Sequence, residues 1–166
     1  MTRRLPFDPI AQARRLWAEH GWAEAAPGMA AVTSLMRAQQ IVAARVDEAL
    51  KPFGLSFARY EVLMLLLFSR RGSLPMARIG ERLQVHPASV TNAVDRLEAQ
   101  GLVRRSPHPT DRRATLVELT DDGRAAAAKA TDELNATVFA GPGLAPDDVE
   151  RLVELLTRMR GAAGDF

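Results

Sequence analysis

Residues 83–123, LQVHPASVTNAVDRLEAQGLVRRSPHPTDRRATLVELTDDG, leave this chain few folds to choose from. Pro87 can open a helix, because the backbone N–H that proline lacks has no partner in a first turn. Val90, Val94 and Leu97 then recur at helical spacing and predict a core-facing stripe over 87–100. Gly101 suits the left-handed residue that commonly ends a helix. Residues 102–106 and 114–119 are short β candidates, and the seven residues between them are too many for a tight hairpin turn. Pro107 and Pro109 stiffen that connection, which ends in Asp111, Arg112 and Arg113.

The flanking sequence supplies helices. Residues 76–83 predict a short one with Ile79 and Leu83 on one face, and Gln84-Val85-His86 links it to the helix at 87–100. That is helix-turn-helix length and spacing. Ser56 is placed to cap a helix over 57–70 whose centre is apolar all round, so it should be buried. A long helix over 29–50 follows a break at Ala26-Pro27-Gly28, and a single apolar stripe of that length suits packing against a partner chain. Asp8-Pro9 opens a short helix that should stop at Gly21. Thr120 caps a helix reaching about residue 139. Pro146 opens the last helix, striped by Val149, Leu152, Val153, Leu156 and Met159. The fold class expected is mainly α with a small β-hairpin, a helix-turn-helix followed by that hairpin. Its parts are an extension with a short helix over 1–28, a long helix over 29–54, a helix-turn-helix and hairpin over 55–120, and two further helices over 121–166.

Opposite the apolar stripe of the helix at 87–100 lie Ala88, Asn92, Asp95, Arg96 and Ala99, flanked by Ser89 and Thr91. Asn pairs with adenine, Ser and Thr with base edges or phosphate, and Arg with guanine or phosphate, while a small Ala88 lets the backbone approach. A stiff loop carrying arginines fits the narrow minor groove. Ser89, Thr91 and Asn92 are therefore the candidates for base edges. Arg96, Arg104, Arg105 and Arg112 are candidates for phosphates, and Arg113 for the minor groove, with Asp111 steadying its guanidinium. A plain solvated face and a surface loop with a local ion pair are the bland alternatives.

Net charge is only +2, so overall charge does not announce nucleic acid. Its distribution says more. Residues 78–113 carry seven arginines against four acids, while residues 121–166 carry nine acids against five bases. The chain lacks cysteine, which excludes disulfides, thiolate zinc sites and thiol-based redox sensing. No catalytic constellation is evident. His20, His86 and His108 are scattered, and Gly141-Pro142-Gly143 breaks a helix rather than cradling a phosphate. No serine sits in a nucleophile elbow. The expectation is a non-enzyme without metal or cofactor. Residues 1–10 lack the apolar core of a signal peptide and the longest apolar run, 62–68, is too short to cross a bilayer, so a soluble cytoplasmic protein is expected. The rival to DNA binding is a winged-helix adaptor for another protein, which would need neither an arginine wing nor a hydrogen-bonding helix face.

These residues resemble the MarR family of bacterial transcription regulators. The resemblance runs over about 29–159. It rests on the wing pattern Asp111-Arg112-Arg113 followed by Leu119-Thr120 and Gly123, on FARYEVLMLL and on VTNAVDRLEAQGLVRR. It implies a winged helix-turn-helix with long dimerisation helices: a homodimer held by a helical dimerisation region over 29–54 and 121–166, with a DNA-binding lobe over 55–120, bound to a pseudo-palindromic operator, often as a repressor. It also implies that Asp111 and Arg113 are the acid and arginine of the minor-groove contact. Two departures stand out: the extension before Pro27, and His86-Pro87 where the family more often has serine or threonine. The second departure leaves the cap of the helix at 87–100 open, and His86 joins the DNA-binding set. Family members often release DNA on binding a small anionic or phenolic compound, and the extension with its tryptophan resembles that of the urate-responsive branch. Arg14, Trp17 and Trp22 could hold a planar anion, or Trp17 could simply anchor the extra helix. Arg59, Tyr60 and Met64 could open a second part of an effector pocket, or be a helix-end ion pair and core residues.

Overall fold

Short polar side chains and prolines set most helix starts in the computed structural model, which describes residues 5–108, 110, 111 and 114–166. The chain divides into two compact units, Met1–Arg45 and Val46–Phe166, so the boundary falls inside a helix.

In the first unit, α1 (Pro9–Trp17) is capped by Asp8, whose carboxylate accepts from the Ile10 N–H at 2.9 Å. The helix runs on through a wider π-helical turn, Ala18–Trp22, and breaks at Gly21, whose φ of +90° few side chains tolerate. The long helix α2 is Ala26–Leu50. The expected break at Ala26-Pro27-Gly28 is thus a helix start. Pro27 costs nothing there, because first-turn N–H groups have no intrahelical acceptor. Val32, Leu35, Met36, Ile41 and Val42 lie exposed along α2.

In the second unit, the end of α2 buries Val46, Ala49 and Leu50. A 3-10 turn (Lys51–Phe53) closes on Gly54 at φ +64°. Helix α3 (Phe57–Phe68) buries Tyr60, Val62, Leu63 and Leu66, as its all-apolar centre predicts. Ser56 does not cap it: no side-chain bond reaches the helix N–H groups, and the Ser56 hydroxyl instead accepts from Arg59 Nε at 3.2 Å. The helix ends at Phe68, two residues before the expected Arg70, because Ser69 turns extended and its hydroxyl takes the Leu66 carbonyl at 2.7 Å.

Strand β1 (Ser73–Pro75) joins the expected hairpin, so the sheet has three strands in the order β1-β3-β2, with both pairings antiparallel. Three residues carry too little periodicity to be read as a strand, and only the long-range pairing of Leu74 with Val117 defines it. Next come α4 (Met76–Leu83) and α5 (Pro87–Ala99). Strands β2 (Val103–Pro107) and β3 (Thr115–Leu119) follow. Strand β2 starts one residue late because Leu102 belongs to the cap of α5, its N–H donating to the Leu97 carbonyl at 3.0 Å past Gly101 at φ +73°.

Helix α6 (Asp121–Leu134) continues through a π-helical turn, Asn135–Phe139. The Thr120 hydroxyl accepts from the Gly123 N–H at 2.9 Å and donates to the Gly101 carbonyl at 2.8 Å, so one side chain caps α6 and ties it to the end of α5. Helix α7 (Pro146–Ala162) buries no residue, and Leu152, Val153, Leu155 and Met159 are exposed. The core gathers Leu50, Leu63, Leu66, Ile79, Val94, Leu97, Val117 and Leu134, each fully covered.

Gly123 is where α6 meets the α5–β2 turn. A Cβ there would lie 1.9 Å from the Leu102 carbonyl oxygen, which is backbone and cannot swing away. Gly123→Ala should therefore lower stability by about 3 kcal/mol. Urea titration checks this, and an unchanged midpoint would contradict the close approach.

Candidate nucleic-acid interface

Packing of the rear of α5 decides what its front can present. Val90, Ala93, Val94 and Leu97 are buried, each large one contributing about 1.5–3 kcal/mol. Ala88, Ser89, Thr91, Asn92, Asp95, Arg96 and Ala99 are left on the exposed side. The helix start is closed by His86, whose Nδ1 accepts from the Ala88 N–H at 3.2 Å. The imidazole takes the place of the commoner hydroxyl cap. Thr91 donates its hydroxyl proton to the Pro87 carbonyl at 3.1 Å and keeps its lone pairs. The structure thus brings His86, Ala88, Ser89, Thr91 and Asn92 together on the exposed first turns, with Arg96 further along.

The arginines behind α5 are not equivalent. Arg105 is expected to bind phosphate, but its guanidinium is committed to two carboxylates, Asp95 and Glu98, each at 2.5 Å. Its N–H also donates to Glu98 at 2.9 Å. Its side chain is 25 % exposed, so it clamps β2 to α5. Arg104 stands across the sheet from Glu118 and pairs with it at 2.7 Å, but stays 73 % exposed and able to reach an anion. The Ser106 hydroxyl also donates to Glu118. The sequence alone singles out neither Glu118 nor Ser106. Only the register Arg104↔Glu118 reveals them, and that register is set by pairing between strands rather than by local spacing.

The hairpin turn is organised by an imidazole as well. His108 Nδ1 accepts from the Asp111 N–H at 3.2 Å, and the backbone N–H of His108 donates to the Ala114 carbonyl at 3.2 Å. Pro109, Arg112 and Arg113 lie outside the described residues, and with them the expected pairing of Asp111 with Arg113 and the expected minor-groove contact.

The candidate effector residues separate. In the first unit, Arg14 and Arg15 line one depression of about 500 Å³ with Ala11 and Pro27. Trp17 and Trp22, with ring centroids 5.0 Å apart, line a different one of about 470 Å³. In the second unit, Tyr60 is buried and its hydroxyl lies 3.0 Å from Thr131 Oγ1. The Thr131 proton goes to the Ala127 carbonyl at 2.7 Å, so Tyr60 donates, and Met64 Sδ sits 3.4 Å from the same oxygen. Tyr60 is thus a core group, and Met64 is partly buried against that core. Arg59 points elsewhere, into a depression shared with the start of α5.

Two carboxylates, Glu98 on α5 and Glu118 on β3, titrate low. The Arg105 N–H and then its guanidinium hold Glu98 below the ordinary 4.5, and Ser106 and Arg104 do the same for Glu118. A lowered folded-state pKa adds stability that is present above about 4.5 and is lost as pH falls through the lowered values. Thermal melts should show the parent losing stability below pH 4.5. Glu98→Gln should melt lower at neutral pH and fall less steeply in acid. Parallel curves would contradict the clamp.

Comparison with known proteins agrees with this geometry. The MarR family model matches residues 55–115. The crystal structure of Sco5413 from Streptomyces coelicolor, a MarR family transcriptional regulator, is 51 % identical, with 84 % of this chain and 97 % of that one covered at a TM-score of 0.77. BpsR of Bordetella bronchiseptica, whose DNA binding is regulated by 6-hydroxynicotinic acid, is 29 % identical, with 76 % of this chain and 90 % of that one covered at a TM-score of 0.69. The HTH-type transcriptional regulator MhqR of Bacillus subtilis (strain 168) is 33 % identical over 89 residues, 54 % of this chain and 60 % of that protein. The match thus spans between about half and three fifths of the length of the first curated relatives. The winged helix-turn-helix lobe and the identity to Sco5413 together place the chain in the MarR family.

Proposed function

We propose that this chain is a DNA-binding transcriptional regulator that acts as a homodimer in the cytoplasm. It binds a pseudo-palindromic operator as a repressor and releases it on binding a small anionic or aromatic effector. The observation that carries the reading is α5: its apolar side is sealed in the core while Ser89, Thr91 and Asn92 stand exposed at its capped start. The first turns of such a helix are the part that meets base edges in a major groove. Arg96, Arg104 and Arg112 are the candidates for phosphates, and Arg113 is the candidate for the minor groove. The regulation of BpsR by a small aromatic acid supports the effector step, with Arg14, Trp17 and Trp22 as its candidate residues. Self-association is supported by α7, which buries nothing within its own unit, and by the exposed apolar side chains of α2.

A protein-binding adaptor is the alternative, and salt separates the two. Each phosphate contact releases counterions, so duplex affinity should fall steeply between ~50 and ~200 mM salt. Titration against duplexes from the neighbouring upstream region and against a scrambled duplex should show preference for the former. Asn92→Ala should reduce that preference by about 1–3 kcal/mol. Arg112→Ala should weaken all duplexes alike and flatten the salt slope. Equal binding of every duplex by the parent and both variants would favour the adaptor. A true effector should raise the melting temperature in a ligand screen by mass action.

A further inference from the structure

Arg59 lies on α3, outside the elements that read DNA in the account above. Its Nε donates to the Ser56 hydroxyl at 3.2 Å, which fixes the guanidinium close to its own helix. It shares a depression of about 410 Å³ with Ser56, Ala88, Ser89, Asn92 and Ala93. No carboxylate lines that depression, and among the described residues none pairs with Arg59 within the 2.5–4.0 Å that separates the ion pairs of Arg105 and Arg151. Arg105, which the sequence nominates for phosphate, is spent on Asp95 and Glu98. The charge at the entrance to α5 therefore comes from a different helix.

We propose that Arg59 is a DNA-backbone contact: it takes a phosphate oxygen at the rim of the groove whose bases meet Ser89 and Asn92. This rests on the regulator reading above. The two terminal nitrogens of a guanidinium carry four N–H donors, and the bond to Ser56 uses none of them. The exposed Ser89 and Asn92 add a hydroxyl and an amide to the same hollow. An anchored guanidinium of this kind binds a phosphate in two-pronged fashion. It does not follow a base edge into the groove, because its reach is fixed on its own helix. Arg59 therefore adds affinity for every sequence, while its neighbours on α5 add discrimination.

The test measures salt slopes for the parent, Arg59→Gln and Arg59→Lys on a duplex the parent prefers and on a scrambled one. With two protomers bound, Arg59→Gln should reduce the slope of log affinity against log salt by roughly 1.8, at ~0.9 per phosphate. The reduction should appear on both duplexes, the preference between them should not change, and Arg59→Lys should recover the slope by keeping the charge. The slope does not depend on the fraction of active protein, so partial unfolding of a variant does not imitate the result. An unchanged slope in Arg59→Gln beside a steep parent slope overturns the assignment and leaves the regulator reading standing. So does a loss confined to the preferred duplex, which would make Arg59 a reader of bases. A parent that binds no duplex overturns both.

Discussion

Burial of Val90, Val94 and Leu97 is the interaction on which the rest depends. These side chains are 0–2 % exposed and share one core with Leu63, Leu66, Ile79 and Val117. A helix fixed along one side has no freedom to rotate, so its remaining residues are assigned to the outside by geometry. That assignment turns a run of small and hydrogen-bonding residues into a surface with a defined order. The His86 cap at one end and the Gly101 turn at the other settle where the surface begins and ends. Thr120 then ties that turn to α6, so the reading helix and the helix expected to dimerise are joined through one hydroxyl.

Charge is divided between holding the lobe together and presenting it. Arg105 is held by two carboxylates of α5 and locks the wing strand against the helix. Arg104 is shared between Glu118 and solvent. Arg96 and Arg59 are partnered by no carboxylate among the described residues. Counting arginines along the sequence cannot make this division. Two adjacent residues of one strand point to opposite faces, and here only one of Arg104 and Arg105 faces α5.

The helices and the hairpin were legible because their signals are local: apolar spacing, a proline in the first turn, glycines at the ends. The apolar stripe of α5 and the exposed face opposite it follow from spacing alone. What escaped were features made by distant pairs. Strand β1 exists only through its pairing with β3. The roles of Glu118, Ser106 and Thr131 depend on partners 12 to 71 residues away. Ala26-Pro27-Gly28 reads as a break because proline and glycine punctuate chains, yet the same residues fit a helix's first turn. For Tyr60 the sequence leaves a pocket hydroxyl and a core tyrosine both open, and its hydrogen-bond partner on α6 is 71 residues away. Arg59 and Tyr60 are neighbours in sequence but face different surroundings, one the start of α5 and the other the core.

The central claim is that the exposed side of α5 enters the major groove, twice, in a dimer. Methylation interference on an operator selected by the protein tests it most directly, since a methyl group on guanine N7 obstructs the major groove alone. A dimer reading two major grooves should show two patches where methylation blocks binding, centred ~10 base pairs apart so that both face the same side of the duplex. Binding indifferent to N7 methylation, or a single patch, would contradict it.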